Sequence, residues 1–425
     1  MSQQFITATY WIETPLDIER AASSLAGEQS CGTFVRVPGE TDELRARALA
    51  KITKITPLDD SPNPSLPGGS TPRDPTGRYR RAMLEIAFPF DNVGVNLTTV
   101  MATVAGNLFE LREFSGLRLL DIDFPTPFAA CPRPQFGIAG TRRLAGVEGR
   151  PLIGTIIKPS VGLAPEETAT LVGQLVEADI DFVKDDELMA NPPHSRFEQR
   201  VEAVMRVINA AADRTGKKVM YAFNVSDEPD AMRRHHDTVL KHGGTCVMVS
   251  LQHVGISGVL HLRRHSQLPI HGHRNGWGIY SRSPAIGIEY SAMQKLWRLA
   301  GVDHLHVNGL QNKFCESDDS VVRSIQSCLT PLFKDDGIDD RAMPVVSSGQ
   351  WGGQAPETYA RTGTVDVIYL AGGGVMAHPG GPVAGTRALR QAWEAAVSGV
   401  PLPTYAATHA ELRQSLERFS PGATR

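Results

Sequence analysis

From residue 151 onward, short apolar segments alternate with longer amphipathic ones, and this alternation constrains the fold more than any other feature of the sequence. Apolar runs bounded by turn residues predict strands, and longer runs with apolar residues at helical spacing predict helices. The strand-like runs are PLIGTIIKP, DFVKDDE, KVMYAFNVS, TCVMVSLQH, LPIHGHR, HLHVNG, MPVVSSG and VDVIYLAGGG. Eight such repeats indicate an α/β protein with a (β/α)8 barrel. We predict that the barrel spans residues 146–425 and ends in a helical tail.

Residues 1–145 show a mixed pattern instead. QFITATYWIE and MLEIAFPF predict strands, whereas PLDIERAASSLAGEQ and NLTTVMATVAGNLFEL predict helices. We therefore expect a smaller α+β domain before the barrel. Residues 58–78 are rich in Pro, Gly and Ser and have no periodicity, which predicts a mobile surface loop without chemistry.

The composition of the 425 residues fits a globular enzyme. Apolar residues make up 41% and charged residues 21%, which argues against disorder. A net charge of −3 gives no reason to expect nucleic acid or a membrane as a partner. The N-terminus lacks the basic start and apolar core of a signal peptide, so we expect a cytoplasmic location. The five cysteines are scattered and suggest neither a disulfide framework nor a zinc site.

Polar residues recur where the strand-like runs end. They are Lys158, residues 184–187, Asn224, His253, residues 271–274, His306, residues 347–349 and residues 372–374. Barrel enzymes build their active sites at the C-terminal ends of the strands. The pattern therefore predicts that these residues converge on one site.

The run DFVKDDE, residues 181–187, is the most informative segment. Side chains alternate along a strand, so Lys184 and Asp186 point to the same side, and Glu187 follows where the chain turns. Two carboxylates suit Mg²⁺, but an ammonium beside them would repel the ion. A desolvated lysine that loses its proton can react with CO2 to give an anionic carbamate, which would also bind metal. The alternative is a plain ion pair between Lys184 and Asp185 or Asp186.

DFVKDDE resembles the metal-binding strand of the RuBisCO large-subunit family. Other segments resemble that family in the same order along the chain: GTIIKPSVGL at 154–163, HGHR at 271–274, DHLHVNGLQNK at 303–313, VVSSG at 345–349, AGGG at 371–374 and HPGG at 378–381. In the N-terminal part, EQSCGTF at 28–34 and VAGNLF at 104–109 resemble segments that reach a neighbouring subunit's active site. The resemblance covers most of the chain.

This resemblance implies roles for individual residues. A carbamate on Lys184, with Asp186 and Glu187, would hold Mg²⁺, and the carbamate could act as a base. Lys158 would transfer a proton at the substrate carbon. The other implied catalytic residues are His273, His306 and the loop lysine Lys313. The implied substrate or phosphate contacts are Thr33, Asn107, Arg274, Ser347, Ser348, Gly349, Gly372 and Gly373. Because Thr33 and Asn107 would complete a partner's site, we expect a homodimer or a higher assembly of dimers.

Each of these residues also has an ordinary structural interpretation. Lys158 could be satisfied by a neighbouring carboxylate, and Arg274 by a surface ion pair. His273 and His306 could be buried groups bonded to the backbone, and Lys313 a solvated loop residue. The glycines serve tight turns equally well. We expect His271 and His304, one alternation back on the same strands, to be structural.

The sequence departs from true carboxylases at several positions. They are Phe34 for a tryptophan, Ser160 for a second lysine, Trp277 for a histidine, and Asn308 and Gln311 in the mobile loop. The departures make carboxylation of ribulose bisphosphate the least expected activity and indicate the non-carboxylating form IV branch. A retained Lys313 favours decarboxylation of a phosphorylated 3-oxo sugar acid of the oxo-isoapionate phosphate type. The alternatives are an enolase or isomerase of a methylthio-sugar phosphate in methionine salvage, and a non-catalytic structural or regulatory homologue.

Overall fold

The computed structural model describes residues 3–32, 36–73, 76–334 and 337–420. Contacts divide the chain into two compact units. The first comprises Met1–Cys131 and Trp277–Leu299, and the second comprises Pro132–Gly276 and Ala300–Arg425. The described part of the chain contains no helix that is both long and apolar enough to cross a membrane.

The strands are, in chain order, β1 (Phe5–Thr14), β2 (Lys51–Ser61), β3 (Tyr79–Pro89), β4 (Gly116–Asp123), β5 (Leu152–Ile156), β6 (Phe182–Lys184), β7 (Met220–Asn224), β8 (Cys246–Ser250), β9 (Ile270–His273), β10 (Ile286–Ile288), β11 (His304–His306), β12 (Met343–Val346) and β13 (Ile368–Leu370). The α-helices are α1 (Ile18–Glu28), α2 (Asp42–Ala48), α3 (Leu97–Ala105), α4 (Gly137–Ala145), α5 (Pro165–Glu177), α6 (Phe197–Thr215), α7 (Pro229–Lys241), α8 (Leu251–His265), α9 (Gly278–Ser281), α10 (Tyr290–Leu299), α11 (Asp318–Leu329), α12 (Ala355–Thr362), α13 (Gly373–Met376), α14 (Gly381–Val397), α15 (Leu402–Ala406) and α16 (Ala410–Phe419).

The first unit is built on a sheet with the strand order β10-β4-β1-β3-β2. The central strand β1 pairs antiparallel with β3 and β4 and buries every second side chain, as its alternating sequence predicts. Tyr10 is fully buried on β1, and its hydroxyl donates to the carbonyl oxygen of Val104 at 2.7 Å. This bond ties the sheet to α3, as expected for the predicted α+β domain.

The segment 58–78 differs from the mobile loop that its composition predicts. Its first residues continue β2 as far as Ser61, paired with β3. Further along, the backbone N–H and hydroxyl of Ser65 donate to the carboxylate of the fully buried Glu13, at 2.6 and 2.8 Å. A buried carboxylate requires donors, and this segment supplies two of them. The course of residues 58–65 is therefore fixed by contacts that are remote in sequence.

The second unit is a closed barrel of parallel strands in the order β11-β12-β13-β5-β6-β7-β8-β9. All eight predicted strand runs form these strands, so the predicted fold class is confirmed. Buried side chains from the strands and from α4 form a continuous core that includes Leu152, Phe182, Met248 and Leu370. This packing closes the barrel interior and leaves the strand ends to carry polar groups.

Local signals set the ends of the barrel helices. Pro165 begins α5, and the carboxylate of Glu167 accepts from the backbone N–H of Ala164 at 2.7 Å. Gly216 ends α6 with φ of 74°, a left-handed conformation that favours glycine. These stops return the chain to the next strand. As a result, each strand end is held at the same side of the barrel.

Candidate active site at the carboxyl ends of the barrel strands

The charged residues of three barrel strands meet at one place. The ammonium Nζ of Lys158, after β5, lies 2.7 Å from Oδ2 of Asp186. The Nζ of Lys184, the last residue of β6, lies 3.5 Å from Oε2 of Glu187. From β9, Nε2 of His273 lies 3.4 Å from the same Glu187 oxygen. The structure therefore brings these five predicted residues together.

The third acid of the run, Asp185, faces away from this cluster. Its carboxylate accepts from the Tyr221 hydroxyl at 2.7 Å, from the backbone N–H of Asn224 at 2.9 Å and from Arg200 at 3.2 Å. The sequence offered an ion pair of Lys184 with Asp185 or Asp186 as the alternative to a carbamate. In the structure, the carboxylate oxygen within ion-pair distance of Lys184 belongs to Glu187. Strand alternation turns Asp185 towards the scaffold. Asp186 pairs with Lys158 instead, at 2.7 Å.

Asn224, at the end of β7, holds the acidic turn in place. Its amide Nδ2 donates to the backbone carbonyl oxygens of Asp186 and Glu187, at 3.4 and 3.1 Å, and its own side chain is fully buried. The sequence placed Asn224 among the polar strand ends without a role. The structure gives it one, since it fixes the backbone that carries both carboxylates.

Lys184 has an unusual environment for a lysine. Only 1% of its surface is exposed, and its Nζ donates to the backbone carbonyl oxygen of Asp185 at 2.8 Å. Burial lowers its pKa, although the carboxylates of Glu187 and Asp186 act in the opposite direction. A lowered pKa raises the fraction of neutral amine, which is the nucleophilic form of the side chain.

The histidines fall into distinct settings. Burial and the charge of Lys184 lower the pKa of His273 to about 4, so the ring is neutral at neutral pH. Its Nδ1 lies 3.2 Å from the backbone nitrogen of Asn275 and 3.0 Å from the side-chain Oδ1 of the same residue. Nε2 of His306 lies 2.7 Å from Nε2 of His271. His304 lies deeper, bonded to Thr141 at 2.8 Å, in agreement with the structural role expected for it.

Arg274 and the loop between β11 and α11 share a carboxylate that the sequence did not single out. Nη2 of Arg274 donates to Oε2 of Glu316 at 2.9 Å, and Nδ2 of Asn308 donates to the same oxygen at 2.5 Å. Lys313 is exposed on this loop, and its backbone N–H donates to the carbonyl oxygen of Ser348 at 3.3 Å. No sequence pattern identifies Glu316, because its partner Arg274 lies 42 residues earlier.

The other predicted contacts lie at the ends of β12 and β13. Ser347 and Ser348 follow β12, and Gly349 adopts φ of 82° beside Lys313. A side chain built on Gly372 would lie 3.7 Å from Cε of Lys158, and one on Gly373 would meet no atom of the described residues within 4 Å. The glycines thus keep the backbone open beside Lys158.

Two predicted contacts belong to the first unit. Asn107 is exposed at the start of a short 3-10 turn, Asn107–Glu110. Thr33 and the neighbouring departure Phe34 lie outside the described residues. Trp277 is buried and packs against Tyr280 and Tyr290, with ring centroids 5.3 and 5.2 Å apart.

A separate group, His236, Asp237 and His265, places potential metal-ligand atoms within 4.8 Å of one another. However, Nε2 of His236 accepts from the backbone N–H of Gln267 at 3.2 Å, so its neutral ring carries the proton on Nδ1, the atom facing Asp237. That ring has no lone pair left for an ion. The group is accounted for as hydrogen bonds between α7 and α8.

The molecule is a parallel (β/α)8 barrel protein, and the carboxyl ends of its strands bring together two lysines, two carboxylates and an arginine as the candidate site. The model of the ribulose bisphosphate carboxylase large chain catalytic domain matches residues 137–419, and the model of the N-terminal domain matches residues 2–128. The chain belongs to the RuBisCO large-chain family, as its motifs indicate.

The chain resembles several members of the family over nearly its full length. It is 54% identical to a 3-oxo-isoapionate-4-phosphate transcarboxylase/hydrolase from Xanthobacter autotrophicus, over 97% of this chain and 98% of the relative. It is 48% identical to a 3-oxo-isoapionate-4-phosphate decarboxylase from Rhizobium etli, over 98% and 99%. The crystal structure of a rubisco-like protein from Burkholderia fungorum superposes with a TM-score of 0.91 at 46% identity, covering 98% of this chain and 100% of that one.

Proposed function

We propose that this protein is a Mg²⁺-dependent decarboxylase of a phosphorylated 3-oxo sugar acid of the 3-oxo-isoapionate 4-phosphate type. The observation that carries the proposal is the buried Lys184 beside Glu187, with Lys158 on Asp186, in a chain 48% identical to decarboxylases of that substrate. A non-catalytic homologue would have no need of this costly burial of charge.

The residues fit the proposed metal. Asp186 and Glu187 supply hard oxygen ligands, and burial lowers the pKa of Lys184, whose neutral amine can attack CO2. In that reaction an N–C bond forms, the amine gives up a proton, and the side chain becomes an anionic carbamate with oxygen ligands of its own. Mg²⁺ bound there would supply a Lewis acid that polarises a substrate carbonyl.

The chain's own residues would bind the substrate and handle the proton. Arg274 and the backbone of Gly349, Gly372 and Gly373 would take the phosphate, and Lys313 would hold the carboxylate that leaves. When the C–C bond to that carboxylate breaks, its electron pair passes into an enediolate and CO2 departs. The Lys158 ammonium, held 2.7 Å from Asp186 and 2.7 Å from the Ser160 hydroxyl, would then protonate the carbon.

The proposed active unit is a homodimer. RuBisCO relatives of this chain include a dimeric protein from Hyperthermus butylicus and an octameric protein from Pyrococcus horikoshii. The exposed Asn107, together with Thr33, would extend towards the substrate in a second copy of the chain. This arrangement would make each active site depend on two subunits.

The test follows the carboxyl carbon of 3-oxo-isoapionate 4-phosphate labelled with ¹³C. With Mg²⁺ and bicarbonate, we expect labelled CO2 from the wild type and from Lys54→Ala, a control at an exposed lysine 3.5 Å from Glu85. Lys184→Ala should release none. The proposal would be rejected if the wild type released no labelled CO2 and the labelled substrate stayed intact.

A transcarboxylase/hydrolase is the second candidate, favoured by the 54% identity to the relative of that name. In that case the substrate is consumed and the label stays in a non-volatile product. Enolisation or isomerisation would instead keep the labelled substrate carbon skeleton whole while exchanging a proton with D2O. One labelled substrate therefore separates all three reactions.

A further inference from the structure

A continuous chain of hydrogen bonds runs from the barrel interior to the base of the loop that carries Lys313. In order, its members are His271, His306, Ser347, Ser348, Asn308 and Glu316. The successive donor–acceptor distances are 2.7, 3.1, 3.4, 2.7 and 2.5 Å. Each hydroxyl and each neutral ring has one proton to donate, so the direction of one bond restricts the next.

The outer end of the chain fixes one direction. Glu316 presents a carboxylate, which only accepts, so the Asn308 amide must turn its Nδ2 towards it. The amide oxygen of Asn308 then faces Ser348, whose hydroxyl has to donate. Because the Ser348 hydroxyl donates its one proton to Asn308, Ser347 must be the donor in the hydrogen bond between the two serines. Ser347 must therefore accept from His306.

The inner end of the chain gives the same direction independently. Nδ1 of His271 is buried and has no hydrogen-bond partner among the described residues. A stranded N–H costs more than a stranded lone pair, so the His271 proton belongs on Nε2. That proton is donated to Nε2 of His306, which leaves the proton of His306 on Nδ1, facing Ser347. Burial lowers the pKa of both rings and keeps them neutral.

We propose that Glu316 is a positioning residue that orients this chain and holds His306 in its Nδ1–H tautomer. Its carboxylate also accepts from Arg274 at 2.9 Å and from Ser320 at 2.9 Å, so one group joins the loop base, α11 and the end of β9. The hydroxyl protons of Ser347 and Ser348 are both donated to neighbouring members of this chain of hydrogen bonds. With the proposed function as a premise, Ser347 and Ser348 therefore present lone pairs to a substrate hydroxyl rather than protons to a phosphate.

The test is the tautomer of His306 in the ligand-free protein, measured by ¹⁵N NMR with labelled histidine and assigned by the signal lost in His306→Gln. The wild type should show a single Nδ1–H form. Glu316→Gln retains an acceptor oxygen and should keep it, whereas Glu316→Ala leaves only the inner end to set the direction and should raise the fraction of the Nε2–H form above that in the wild type. The matched control is Glu357→Ala, which removes a carboxylate bonded to Gln311 of the same loop at 2.6 Å and should leave His306 unchanged.

A second variant guards against misfolding of Glu316→Ala. Asn308 has φ of 61°, so Asn308→Gly keeps the backbone conformation while it severs Glu316 from Ser348. It should also populate the Nε2–H form. An Nε2–H tautomer in the wild type, or an unchanged tautomer in both variants, would overturn the proposal. The measurement uses no substrate, so its failure is distinct from a failure of the decarboxylase assay.

Discussion

At the scale of single residues, two lysines of one site illustrate how surroundings decide chemistry. Lys158 keeps 38% of its side chain exposed and pairs with a carboxylate at 2.7 Å, whereas Lys184 is almost completely buried. In the proposed mechanism Lys158 donates a proton, whereas burial lowers the pKa of Lys184 and so favours the neutral amine, which can attack CO2. The proposed division of labour between the two lysines follows from this difference.

If Lys184, as a carbamate, binds Mg²⁺ together with Asp186 and Glu187, then Mg²⁺ and bicarbonate together should stabilise the folded protein. Because binding to the native state alone stabilises it, a concentration a hundredfold above Kd should add about 2.7 kcal/mol to the free energy of unfolding. Thermal unfolding measured with and without both ions should show this rise in the wild type and in Lys54→Ala. Lys184→Ala should lose it, and a full rise in that variant would exclude the carbamate as a ligand.

Asp181, at the start of the metal-candidate segment, predicts a pH effect on stability. Burial raises its pKa, but the hydrogen bond and charge of Arg150 outweigh burial and lower it. A lowered folded-state pKa gives stability that is present above the unfolded value of about 3.9 and is lost as pH falls through the folded value.

Asp181→Asn should therefore cost about 3–5 kcal/mol at neutral pH, since it breaks a buried ion pair. The difference in the free energy of unfolding between the variant and the wild type should become smaller at acid pH, as measured by denaturant unfolding over a pH series. Glu166→Gln, which removes an exposed partner of Arg206, serves as the control and should change stability by about 1 kcal/mol or less. A constant deficit at all pH values would contradict the ionised state of Asp181.

At the scale of elements, the barrel strands are short, and their spacing rests on small residues. A side chain on Gly154 of β5 would lie 2.5 Å from Cδ2 of Leu370 on β13 and 2.7 Å from the carbonyl oxygen of Phe182 on β6. Gly154 is thus required for the close approach of three strands that all end beside the candidate site.

Gly154→Ala should destabilise the protein by about 1–3 kcal/mol, because neither the backbone oxygen nor the packed leucine can yield freely. The matched control is Gly173→Ala on α5, where the new methyl would make an ordinary 3.5 Å contact with Val207. Helix propensity should make that change stabilising by up to about 1 kcal/mol. Equal effects of both substitutions on the unfolding midpoint would refute the packing argument.

At the scale of the whole molecule, the proposed dimer predicts complementation between inactive variants. Asn107→Ala should disable the site of the second copy, and Lys184→Ala should disable its own. Random reassociation gives half heterodimers, each with one intact site, so a mixture should regain about a quarter of wild-type CO2 release. Separately purified variants provide the baseline, and a mixture that stays at baseline would argue against sites shared between subunits.

The sequence alone determined the barrel and the convergence of its strand ends. Each strand run carries its own local signal, and parallel strands in a barrel have only one common carboxyl end, so Lys158, Lys184 and His273 could be assigned to one place. Local capping residues such as Pro165 and Gly216 marked helix ends in the same way. The implied roles of these residues stay predictions.

The tertiary structure decided the partners of each charge. Alternation along the strand separates Asp185 from Asp186, but it does not identify Tyr221, 36 residues away, as a hydrogen-bond partner of Asp185. Glu13 orders a loop 52 residues downstream, and β10 joins a sheet whose β4 ends 163 residues earlier in the numbering, at Asp123. Hydrogen bonds across such separations exist only once the strands have paired and the barrel has closed, so no local pattern encodes them.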